Sequence, residues 1–213
     1  MFEQLRNAQP LQSLYDALAE NFPVSLTDVA FNPGSMPAQV AGTINLFSGA
    51  GSVEIRLDQW RALFRGLRTA EDRKVILRCL NLAAAALEKD SDHLVPASRT
   101  VVLASWFSSE DGASGVAAML KAKAGPWAAA PGFKSLGAEE LEFTLAPLLR
   151  NTTEGWDASF FIQKSKVQGS HLFVNYTGNY IAGGRYNSVD QIDGHVESML
   201  RALLEMFDVR LPQ

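Results

Sequence analysis

Beginning at Pro10, apolar side chains recur at Leu11, Leu14, Tyr15, Leu18, Ala19 and Phe22 until Pro23 interrupts them. That spacing predicts an amphipathic helix starting at Pro10, a residue suited to the first helical position. Three strand-like runs follow at residues 24–31, 40–47 and 53–57, the last alternating Val53, Ile55 and Leu57 with Glu54 and Arg56. Turn residues separate them, so consecutive antiparallel pairing is the simplest arrangement. A second helix is predicted over 70–88, N-capped by Thr69 with Glu71 and Asp72 in its first turn, where the helix dipole favours acids. Its polar residues fall on one thin stripe, which predicts a helix covered on several sides.

The run RTVVLASWF at 99–107 is almost unbroken apolar and is read as a strand buried on both faces. A short helix over 113–123 ends at Gly125-Pro126. Leu141, Phe143 and Leu145 then alternate with Glu142 and Thr144, and strand-like runs follow at 158–167, 172–177 and 180–186. Gly178-Asn179 between the last two has the residue types of a two-residue hairpin turn. Ser188 with Gln191 forms a capping box, and Ile192, Val196, Met199, Leu200, Leu203, Leu204 and Phe207 make the apolar face of a final helix.

This order predicts an α+β fold: a mixed or antiparallel sheet with helices packed on one face, in two pseudo-duplicated halves of strand meander plus long helix. No residue-level repeat accompanies the apparent duplication. The chain is read as one globular domain over 1–213, with halves 1–95 and 96–213.

Composition narrows the setting. Of 213 residues 47% are hydrophobic and 20% charged, as in ordinary globular proteins. A net charge of −4 offers no concentrated basic surface, which argues against nucleic acid or an anionic membrane as partner. No apolar stretch reaches membrane-spanning length, and the first ten residues lack the apolar core of a signal peptide. The single cysteine, Cys79, cannot form an internal disulfide, so a soluble, cytoplasmic protein is expected.

Candidate chemistry is sparse. Cys79 falls on the apolar side of its helix, where a cysteine behaves as an inert hydrophobe. No G-x-S-x-G elbow occurs; Ser105 lies inside an apolar strand, and Ser109, although followed by Glu110 and Asp111, has no local histidine. The carboxylate-rich turn with Glu88, Asp90, Asp92 and His93 lacks the glycine and terminal glutamate of a calcium loop, so no metal site is assigned. His195, near Asp193 in the last helix, is expected to be exposed and uninformative. No cofactor is implied, and no residue is assigned to catalysis.

Two features remain. Gly183-Gly184-Arg185, ahead of a capped helix, could approach an anion, although paired glycines at a strand end more often form a bulge. With Tyr176, Tyr180 and Tyr186 they define a candidate cleft, between the sheet and the last helix, for a small anionic or aromatic ligand. Separately, Trp127, Pro131 and Phe133 give residues 125–133 an apolar character unusual in a loop. The leading expectation is a non-enzymatic interaction or assembly protein working through sheet edges or this loop. Its partner would be a second copy, as a homodimer, or another protein. The ligand-binding or enzymatic domain is the alternative.

Overall fold

The computed structural model describes residues 2–33, 40–56, 59–88, 97–108, 112–125, 142–167 and 170–207. The chain divides into two compact units, Met1–Ala97 and Ser98–Gln213. In each, two helices cover one face of a four-stranded antiparallel sheet, an α+β arrangement. No described helix is long and apolar enough to cross a membrane.

The first unit runs α1 (Phe2–Ala19), β1 (Val29–Pro33), β2 (Val40–Leu46), β3 (Gly51–Arg56), β4 (Gln59–Phe64) and α2 (Ala70–Glu88). Its strands form a meander in the order β1-β2-β3-β4. Alternation sends Ile44 and Leu46 of β2 and Val53 and Ile55 of β3 to one face. There they meet Leu11, Leu14 and Leu18 of α1 and Cys79, Ala83 and Leu87 of α2.

Four details differ from expectation. Helix α1 begins at Phe2 and carries Pro10 inside it, at the loss of one backbone donor. Residues 24–31 do not form one strand, because the Ser25 amide donates to Asp28 Oδ2 at 2.9 Å and Leu26–Asp28 form a 3-10 turn before β1. Strand β4 was not anticipated, although Trp60, Ala62 and Phe64 alternate as they should. Helix α2 buries one line of side chains at four-residue spacing rather than several sides, since it shares a single helical layer with α1. Thr69 caps it as predicted, accepting from the Asp72 amide, and Asp72 Oδ2 also accepts from the Thr69 amide, a return bond not anticipated from the sequence.

The second unit runs β5 (Ser98–Ser108), α3 (Gly112–Ala124), β6 (Leu148–Asn151), β7 (Trp156–Lys164), β8 (His171–Ile181) and α4 (Val189–Met206). Its strand order is β5-β8-β7-β6, so β5, first in the chain, pairs with the last strand. Both units share the same layering, but β5 occupies the edge that a fourth consecutive strand holds in the first unit. Even-numbered residues of β7 and β8, among them Phe160, Ile162, Leu172, Val174, Tyr176 and Tyr180, enter a core closed by Val116 and Leu120 of α3 and Ile192, Val196, Leu200 and Leu203 of α4.

Three expectations are corrected here. Strand β5 is an edge strand with one half-buried and one exposed face, not a strand buried on both. Of the run 141–145, Leu141 lies outside the described residues and residues 142–145 contribute only a bridge from Leu145 to Ile162. Gly178-Asn179 makes no hairpin; β8 passes straight through it. A Cβ on Gly178 would lie 2.2 Å from the Tyr176 hydroxyl, so this glycine leaves room for a phenol on the same strand face. The capping box at Ser188 is present, with Gln191 Oε1 accepting from the Ser188 amide.

Candidate functional site

Two places in the second unit concentrate chemistry or exposed apolar surface. The first is where β7, β8 and α4 meet. Buried Tyr176 and Tyr180, four apart on β8, join their hydroxyls at 2.7 Å, and Tyr180 Oη lies 3.2 Å from His195 Nδ1. Tyr186 stacks on the His195 ring with centroids 4.1 Å apart and planes 17° apart. Trp156 meets the same ring edge-on at 4.6 Å. Its indole N–H donates to Glu154, whose other carboxylate oxygen accepts from Arg185.

Several of the titratable groups respond to these surroundings. Burial pushes the Tyr176 and Tyr180 hydroxyls up from their ordinary value. The Trp156 and Arg185 donors hold Glu154 below the usual carboxylate range. Burial lowers His195 from 6.5, while Glu154 and Arg185 act on it in opposite directions.

The residues singled out in sequence therefore converge, but not on the expected cleft. The space between the sheet and α4 is filled by Tyr176, Tyr180, Ile192 and Val196. A groove of about 420 Å³ opens instead along α4, lined by Arg185, Tyr186, Gln191, Gly194, His195 and Ser198. Tyr186 lies beyond β8 and does not share a strand face with Tyr180. Gly183, with φ of 80°, and Gly184 form the tight exit from β8, where the Gly184 amide donates to the Ile181 carbonyl. Gly184 packs against the Glu154 carbonyl, and that carbonyl accepts from the Arg185 amide. His195, set aside in the sequence, is the hub of the cluster. Its distance from Tyr180 in sequence hid that role; the only local hint was its placement one turn into an amphipathic helix.

The second place is the outer face of the sheet. Three rows cross it in register: Trp106, Phe173 and Gln163; Ala104, Asn175 and Phe161; Val102, Thr177, Ser159 and Leu148. Val102 is 65% exposed, Trp106 50%, Phe161 43% and Leu148 63%. A fourth row is polar, with Thr100 donating to Asn179 and Asn179 to Asp157. Within the apolar part, Asn175 Oδ1 is buried and accepts no hydrogen bond. Among the described residues β5 pairs with β8 alone. Its eleven residues contain no proline, lysine or bulge, and Arg99 is their only charge. Edge strands usually carry such features to prevent pairing with other chains.

The remaining candidates are quickly placed. Cys79 is fully buried, and burial pushes its thiol up to about 12. We expect native protein to resist a thiol reagent at pH 8 and react fully once denatured; rapid native labelling would contradict the packing. Trp127, Pro131 and Phe133 lie outside the described residues, as do Ser109, Asp90, Asp92 and His93. Among the described residues no group of three or more His, Cys, Asp or Glu side chains is placed to hold a metal ion. Protein-family models, curated proteins and solved structures were all compared with this chain, and none matches.

Proposed function

We propose that this chain is a non-enzymatic interaction protein that assembles through β5 and the outer face of the second sheet, with a second copy as its partner. The observation that carries the reading is an eleven-residue edge strand, with Arg99 as its only charge, bordering a face that exposes Val102, Trp106, Phe161 and Leu148. Antiparallel pairing of two β5 strands about Leu103 would set Val102 beside Ala104 and Thr100 beside Trp106. Each Arg99 would then meet Phe107, so the only charges on the two strands stay at opposite ends. Such a contact is self-complementary, as a two-fold interface must be. It would also join the two apolar faces into one surface. The unsatisfied Asn175 oxygen adds an acceptor within that surface. A cytoplasmic location belongs to the same reading, supported by a lone, buried cysteine without a disulfide.

A small-ligand reading draws on the groove beside His195. It is the weaker one, because Arg185 already gives its charge to Glu154.

Sedimentation velocity over a concentration series tests the assembly. The wild-type chain is expected to dimerise. The double variant Val102→Lys/Trp106→Lys is expected to stay folded by circular dichroism and to dimerise at least about tenfold more weakly. A wild-type chain that is monomeric at high micromolar concentration, or a folded variant with unchanged association, would overturn the proposal.

A further inference from the structure

The hydroxyl chain beneath His195 has a direction. A neutral imidazole protonated at Nε2 accepts at Nδ1, and with this tautomer Tyr180 donates to it and Tyr176 donates to Tyr180, the one arrangement that uses every hydroxyl hydrogen. A protonated imidazole must donate from Nδ1. Tyr180 would then either turn its hydrogen toward Tyr176, whose own hydrogen would lose its acceptor at a position with no solvent exposure, or accept from both neighbours and strand its own hydrogen. Among the described residues the Tyr176 hydroxyl makes no other hydrogen bond.

We propose that His195 is a proton-sensitive clasp, which holds the first turns of α4 onto the ends of β7 and β8 when neutral and releases them when protonated. The groups facing it come from three elements. Tyr180 reaches it from β8, with Tyr176 behind. Arg185 and Tyr186 come from the segment after β8, and Glu154 and Trp156 from the start of β7. Glu154 and Arg185 are paired with each other, and their effects on the imidazole oppose, so neither charge replaces the lost acceptor. The stack on Tyr186 and the edge contact with Trp156 cover part of the ring and so reduce the hydration of the cation.

The sign follows from the lowered pKa. The folded chain binds the proton less readily than the unfolded one, so this contribution to stability is present above 6.5 and is lost as pH falls through the lowered folded value.

NMR titration of the full chain tests the clasp, since only three histidines contribute signals and His195→Asn assigns one of them. His195 is expected to titrate below 6.5, with hydrogen exchange at residues 189–195 speeding up as it protonates. Tyr180→Phe removes the hydroxyl that donates to the neutral imidazole and must reverse when it is protonated. It is expected to move the His195 midpoint back toward 6.5 and to weaken the acid-induced exchange. In His195→Asn that acid-induced exchange should vanish, a result that needs no phenol variant to fold. A wild-type midpoint at or above 6.5, a folded Tyr180→Phe with an unmoved midpoint, or unchanged acid-induced exchange in His195→Asn would each overturn the proposal.

Discussion

Replacing Leu14 by alanine is expected to cost about 2–5 kcal/mol of stability, among the largest effects of any single truncation in the first unit. Leu14 is fully buried in the core formed by α1, α2 and the meander β1 to β4. Removing its isobutyl group forfeits the transfer energy of the deleted carbons and leaves a cavity that close-packed neighbours fill only in part. Leu26→Ala is the control, because Leu26 is 75% exposed in the turn before β1 and its truncation should stay within about 0.5 kcal/mol. Urea unfolding followed by circular dichroism measures both. A loss below about 1 kcal/mol for Leu14→Ala would show that α1 is not seated on the sheet as described.

Gly178→Ala is expected to destabilise the second unit by about 1–3 kcal/mol, although glycine in a strand is ordinarily the poorer residue by about 0.5–1 kcal/mol. The backbone here is ordinary strand, so the difficulty is space alone. The new methyl would meet the Tyr176 hydroxyl at 2.2 Å and its ring carbons at 2.7 and 2.9 Å. Yielding would swing the phenol away from Tyr180 and break the hydroxyl chain to His195. A second substitution, Tyr176→Leu, removes the clashing ring, so the double variant should lose clearly less than the sum of the two single losses. Additive losses, or a stabilised Gly178→Ala, would contradict this packing.

Gly178 also shows why a sound local rule failed. Gly-Asn supplies the residue types of a tight hairpin, but it does not require one. The cross-strand partners Val101 and Ala158 hold Gly178 in extended pairing, and Asn179 is tied to Thr100 and Asp157. Those partners are 20 or more residues away in the chain, beyond any local window. The edge position of β5 was hidden for a related reason. A mostly apolar run fits a strand covered on both faces, and equally one that exposes an apolar face. Only the strand order separates the two.

What this sequence determined by itself is whatever closes within a few residues. The range of α2, the Thr69 N-cap and the capping box at Ser188 all depend on neighbours three or four positions apart, and all were readable. The antiparallel sheet with helices on one face followed from alternation and helical periodicity. The phenols and Arg185 could be singled out as well, because they crowd one stretch of chain. What only the tertiary structure decided is who meets whom: β5 against β8, Arg185 against Glu154, and His195 among Trp156, Tyr180 and Tyr186. Such pairings are selected by burial and hydrogen-bond satisfaction summed over a whole core, and periodicity carries no record of that sum.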